Sequence, residues 1–125
     1  MSHGRSQVTF TNSTSTKIYV AYMRRDYNCQ EICGDPWDVL GWIGLDPGET
    51  ETRANPTNNQ FFYHYAEGVD GRIYSGPYPG EVRRAVFEKC TCLGVIIING
   101  PPTSPFYTVG FRELDTVRYS GVNYT

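Results

Sequence analysis

The sequence predicts an all-β protein, a single antiparallel sandwich of jelly-roll or Greek-key type with about eight or nine short strands. Three observations predict it. Val and Ile together number seventeen, with twelve Thr and ten Tyr against four Leu and four Ala, an inventory weighted to residues that fit a pleated surface. Thirteen Gly and eight Pro punctuate the chain, at the density that tight turns between short strands require. At 125 residues and 14.2 kDa, one core suffices, with residues 1–6 as a flexible leader and 7–125 as a single domain.

The elements follow in order. Val8 and Phe10 alternate with Thr before the polar turn Ser13-Thr14-Ser15-Thr16, and Lys17 to Met23 resumes as a strand, which predicts a hairpin. In that second run Ile18, Val20 and Tyr22 share one face and Tyr19, Ala21 and Met23 the other; two semi-apolar faces predict a central strand. Residues 24–38 break the pattern and predict a long loop, in which Asp35-Pro36-Trp37-Asp38 would cap one helical turn. Val39 to Leu45 is extended, Asp46-Pro47-Gly48-Glu49 turns the chain, and Glu49 to Ala54 continues as a polar edge strand.

Gln60 to Ala66 places Phe61, Tyr63 and Tyr65 against Phe62, His64 and Ala66 on opposite faces, so burial on both sides is expected. A turn at 67–71 and Arg72 to Ser75 complete a second hairpin. Gly76-Pro77-Tyr78-Pro79-Gly80 is expected as an exposed, rigid loop, because Pro cannot donate to a ladder. Residues 82–89 suit helix or strand, and we favour strand. Leu93 to Ile98, Phe106 to Arg112 and Thr116 to Tyr119 are the last strands, separated by Asn99-Gly100-Pro101-Pro102 and Glu113-Leu114-Asp115.

A formal charge of −2 and a pI near 5.6 supply no field to gather phosphates, so no nucleic-acid partner is expected. The run Leu93 to Ile98 is far below the roughly 20 residues that span a bilayer, so no membrane span is expected either. No signal-peptide pattern opens the chain, although Met1-Ser2-His3-Gly4 has the look of an appended segment standing in place of one.

Four cysteines stand as Cys29-x-x-x-Cys33 and Cys90-x-Cys92. An extended 90–92 segment puts two sulfurs on one face, where they meet thiols from the 29–33 loop better than each other. Cross-paired disulfides are therefore favoured, each worth roughly 4 kcal/mol through loop-closure entropy. Free buried thiols and a four-thiolate zinc site are the alternatives, the second pair being one residue short of usual zinc spacing. Oxidised cysteines would favour an extracellular or cell-surface location, reduced ones the cytoplasm.

No Gly-x-Ser-x-Gly, His-Glu-x-x-His or phosphate-cradling loop is present, and no carboxylate pair is predicted; catalysis and organic cofactors are not expected. His64, between Tyr63 and Tyr65, is expected as a hydrogen-bonded core residue. Trp37, Trp42, Tyr74 and Tyr78 lie near loops, where rings stack on sugars or anchor a protein partner, and are the candidate ligand contacts. Asn12-Ser13-Thr14 and Asn123-Tyr124-Thr125 match the glycosylation pattern, which arises often by chance.

Several segments taken in order resemble a family of small bacterial proteins, domain of unknown function 1036. They are Phe10-Thr11-Asn12-Ser13-Thr14 with Ile18-Tyr19-Val20-Ala21, Trp37 with Gly41-Trp42, and Leu45-Asp46-Pro47-Gly48-Glu49. Tyr63-His64-Tyr65-Ala66-Glu67, Asp70-Gly71 with Tyr74-Ser75-Gly76, and Gly110-Phe111-Arg112-Glu113-Leu114-Asp115-Thr116 complete the set. The resemblance implies a compact, often exported β domain without assigned chemistry. The chain departs from the pattern by inserting Asn28 to Cys33 and by lacking a cysteine near Asn12 or after Gly48.

These readings converge on a non-catalytic binding or structural module. Its expected partner is a protein or a second copy met through edge strands, cysteines or the loops 24–38 and 76–80. A lectin-like glycan-binding domain and a zinc-stabilised domain are the alternatives.

Overall fold

The computed structural model describes residues 3–91 and 105–125. The expected strand at Leu93 to Ile98 and the separator at 99–102 lie outside the described residues, as does Cys92. Within them are ten strands and one helix. In chain order they are β1 (Gln7–Asn12), β2 (Ile18–Arg25), α1 (Tyr27–Cys33), β3 (Trp37–Leu45), β4 (Thr50–Ala54), β5 (Phe61–Gly68), β6 (Ile73–Tyr74), β7 (Tyr78–Val82), β8 (Phe87–Cys90), β9 (Tyr107–Asp115) and β10 (Gly121–Tyr124). The all-β expectation holds. Where a single antiparallel sandwich of about eight or nine strands was expected, ten strands form two unequal sheets: a small sheet, β10-β1-β4, packs on a large one, β7-β9-β5-β2-β3-β8, with β6 added beside β5. Nor is the pairing wholly antiparallel, since β1 and β10 run parallel.

The large sheet buries both its faces, and β2 at its centre shows how. Ile18, Val20 and Tyr22 face the small sheet, where Phe10, Tyr22 and Phe62 form a ring triad with centroids 5.7 to 6.1 Å apart. Each ring pair adds about 0.5–1.5 kcal/mol beyond its burial. Ala21 and Met23 face the other way, into a second core with Tyr65, Phe87 and Phe111. Among the described residues no second sheet covers that side; the large sheet curls over itself until its edge strands meet, with Lys89 Nζ of β8 3.0 Å from Glu81 Oε1 of β7. Two glycines permit the curl. A Cβ on Gly41 or Gly80 would lie 2.5 Å from the ring of Phe87 or Phe111 respectively, so each ring lies flat over a backbone that has no side chain.

The expected β1–β2 hairpin is replaced by a crossover between the sheets, and Asn12 is the reason. Fully buried, its Nδ2 donates to the carbonyls of Thr16 (2.9 Å) and Leu45 (2.8 Å), and its Oδ1 accepts from Thr14 N (2.9 Å). The side chain thereby saturates the corner that a hairpin ladder would otherwise fill. It also removes Asn12 from reach of a glycosylating enzyme in the folded chain.

Other boundaries moved for local reasons. The 24–38 loop contains α1, capped by Asp26, whose carboxylate accepts from Asn28 N, and ended by Gly34 at φ 86°; Trp37 and Asp38 belong to β3 rather than to a helical turn. Residues 76–80 are not a free loop: Tyr78, Pro79 and Gly80 pair with Phe111, Gly110 and Val109, which Pro79 tolerates because β7 is an edge strand. The ambiguous 82–89 segment splits into the end of β7, a turn and β8. Thr116 to Tyr119 forms a turn, because Asp115 accepts Val117 N through its carboxylate and Arg118 N and Tyr119 N through its carbonyl. Residues 3–6, expected within a flexible leader, hold hydrogen bonds: Gly4 N donates to Asn58 O and Asn55 Nδ2 to Arg5 O.

Asn12→Ala removes the side-chain donor to the buried Leu45 carbonyl and the acceptor of Thr14 N and is expected to cost about 3 kcal/mol. Equilibrium urea unfolding checks this, with a lower midpoint and an unchanged slope.

Candidate functional site

The concave face of the curled sheet is built by two-residue alternation. Strand β5 places Tyr63, Tyr65 and Glu67 along it, opposite Met23, Ala21 and Tyr19 of β2. Strand β3 would alternate likewise but carries a bulge: Ala21 pairs with Gly41 and Val20 with Ile43. Trp42 is therefore the extra residue. A bulge sends two successive residues to one side, so Trp42 follows Gly41 onto the concave face while Ile43 and Leu45 still enter the first core.

At this end of the face lies a cleft of about 390 Å³, lined among the described residues by Tyr19, Trp42, Glu67, Arg84, Ala85 and Val86. The Trp42 ring is fixed by its Nε1–H, which donates to Arg83 O at 2.7 Å, and by an edge contact with Phe87. Glu67 is the polar hub: it accepts from Tyr65 Oη (2.8 Å), Tyr107 Oη (3.5 Å) and Arg84 Nη1 (3.1 Å). Burial, then Glu67, raises the Tyr65 and Tyr107 pKa values, so both phenols stay protonated donors at neutral pH. With Arg84 beside Glu67, the pair carries no net charge.

The opposite end of the face repeats the theme. A second cleft of about 290 Å³ is lined by Met23, Trp37, Tyr63, Tyr78, Pro79 and Thr91, and Tyr63 Oη donates to Glu113 at 3.3 Å. Burial and Glu113 push the Tyr63 hydroxyl up to about 12. Trp37 packs edge-on to Tyr63, and Tyr63 lies 5.0 Å from Tyr78. Of the four aromatic candidates, Trp37 and Tyr78 thus come together, Trp42 stands at the other end, and Tyr74 is 7% exposed in the core with its ring against Tyr124. Tyr74 has no face to offer a ligand. Tyr19, Glu67 and Arg84 went unrecognised in the sequence, because their proximity is created by strand register rather than by spacing.

A third cluster sits on the convex side of β3. Cys29 of α1 and Cys90 of β8 form a disulfide, Cα atoms 5.4 Å apart, which is one cross-link between the two cysteine pairs. No free cysteine occurs among the described residues. Asp38, the register partner of both Cys90 and Arg24, is 1% exposed beside this bond. No N–H reaches either of its oxygens; the Glu88 carboxyl is its side-chain hydrogen-bond partner, and Arg24 Nε stands 3.7 Å away. Burial, reinforced by the neighbouring Glu88 carboxyl, raises the Asp38 pKa far above the ordinary carboxylate range.

His64 is a core residue, its Nδ1 2.8 Å from Tyr124 Oη. No helix among the described residues is long and apolar enough to cross a membrane. No protein-family model, curated protein or solved structure matches the chain.

Burial, with Arg112 nearby, lowers the His64 pKa to about 4 from an ordinary 6.5. A histidine kept neutral contributes stability that is fully present above pH 6.5 and is lost as pH falls from 6.5 through 4, up to roughly 3 kcal/mol. Unfolding titrations of the wild type and His64→Phe across that window are expected to show the wild type losing this increment and the variant not.

Proposed function

We propose that the protein is a non-catalytic binding module whose contact site is the Trp42 cleft, and that the ligand class it fits best is a neutral saccharide. The observation that carries this reading is a bulge that turns an indole out of regular alternation toward a charge-balanced Glu67–Arg84 pair. Sugar rings present flat C–H faces that stack on Trp and Tyr and hydroxyls that exchange hydrogen bonds with carboxylate and guanidinium. The neutral pair favours a polyhydroxylated ligand over an ion, whose charge it would not balance.

The Cys29–Cys90 disulfide supports an oxidising, extracellular setting, where such a module has glycans to meet. A protein partner or a second copy falls within the same binding class, and the polar edge strand β4, with Thr50, Thr52 and Ala54 exposed, is where strand addition would occur.

Isothermal titration with neutral gluco-, manno- and chito-oligosaccharides tests the reading. Wild type is expected to bind at least one at millimolar affinity or better, Trp42→Ala to weaken it at least tenfold, and Trp37→Ala to leave it within about twofold. An absence of binding across the panel at millimolar concentrations overturns the saccharide assignment.

A further inference from the structure

The third cluster, on the face away from the cleft, supports an inference independent of the reading above. We propose that reduction of the Cys29–Cys90 disulfide opens a buried zinc site formed by the two thiolates and the Asp38 carboxylate, so that one set of residues serves as a covalent link when oxidised and a metal site when reduced. The ligand atoms of these three buried residues all lie within 4.8 Å of one another. Zinc accepts sulfur and carboxylate oxygen together in four-coordinate geometry, and three protein ligands leave one position for water.

Asp38 is the observation that asks for an explanation. A carboxyl with 1% exposure, no N–H on either oxygen and only the Glu88 carboxyl as a side-chain hydrogen-bond partner is a costly thing to bury, and Arg24 at 3.7 Å lies beyond hydrogen-bond reach. The strand register aims it: Arg24, Asp38 and Cys90 form one row across β2, β3 and β8, and α1 sets Cys29 beside them. With the metal bound, two thiolates and one carboxylate carry three negative charges against the two positive charges of zinc. The Arg24 guanidinium, 3.7 Å from Asp38, offsets the third.

The chemistry balances with a dithiol as reductant. It delivers two electrons and two protons to the Cys29–Cys90 bond, leaving two thiols and a cyclic disulfide of its own. Zinc then displaces the thiol protons, together with any that Asp38 holds.

Cobalt(II) as a spectroscopic stand-in for zinc tests the proposal on the full chain. Protein reduced with a dithiol, freed of reductant under anaerobic conditions and shown folded by circular dichroism is expected to bind one cobalt with thiolate charge-transfer and tetrahedral ligand-field bands. The oxidised protein is expected to show neither. Asp38→Asn is expected to weaken binding at least tenfold, Cys29→Ser and Cys90→Ser to abolish the two-thiolate spectrum, and Cys33→Ser with Cys92→Ser to retain it. A folded, reduced wild type without these bands overturns the proposal. Bands that survive Asp38→Asn but vanish in the Cys33/Cys92 double variant overturn it in favour of a four-thiolate site.

Discussion

The structure depends on one constraint, that the central strand β2 has no solvent face. Its two sets of side chains must each find a core, but the small sheet covers only one of them. The large sheet answers by curling until β7 and β8 meet, and this curl creates the concave surface with its two clefts. Closure needs close backbone approach at Gly41 and Gly80, each beneath an aromatic ring, and the bulge opposite Val20 and Ala21 lies on the same central strands. Bulges provide twist and re-aim a side chain at once. The concave surface is therefore a product of the way the core is completed, rather than an addition to it.

Strand β3 carries the consequences to both sides of the sheet. On the concave side it presents Trp42; on the convex side, four residues earlier, it buries Asp38 against the disulfide. The polar groups are treated differently in the two places. Glu67 and Glu113 are each met by tyrosine hydroxyls, and Glu67 also by a guanidinium, so they order the rings around them at little cost. Asp38 meets only another carboxyl, Glu88. Well-satisfied carboxylates suit a stable, preorganised surface, whereas a buried carboxyl paired only with another carboxyl is costly.

Much of the fold was legible because alternation is a local property. The two-faced burial of β2 and β5 follows directly from their sequences, as do the Asp46-Pro47-Gly48-Glu49 turn and the polar edge strand β4. The crossover after β1 was not legible, since a Thr-rich turn between two strands ordinarily closes a hairpin, and the buried role of the Asn12 side chain arises only from tertiary context. Pro79 misled in the same way: its ban from ladders applies to central strands, and nothing local marks β7 as an edge. Helix α1 left signals, Asp26 at its start and Gly34 just past its end, but it buries only Cys29 and so has no apolar period to be found. For the site, Trp37, Trp42 and Tyr78 were visible as ring donors near loops. The partners of Trp42, namely Tyr19, Glu67 and Arg84, come from separate strands and a turn, and only register joins them.

Deletion of Trp42 tests the central claim most directly, because removing the residue that has no partner should turn the bulge into regular ladder without moving a single pair on either side. The account predicts that the deleted chain folds with the same cross-strand contacts, Ala21 opposite Gly41 and Val20 opposite Ile43, as read from backbone nuclear Overhauser effects, and that it lacks the cleft. An unfolded chain, or one whose residues beyond the deletion have slipped by one position and exchanged faces, would contradict it.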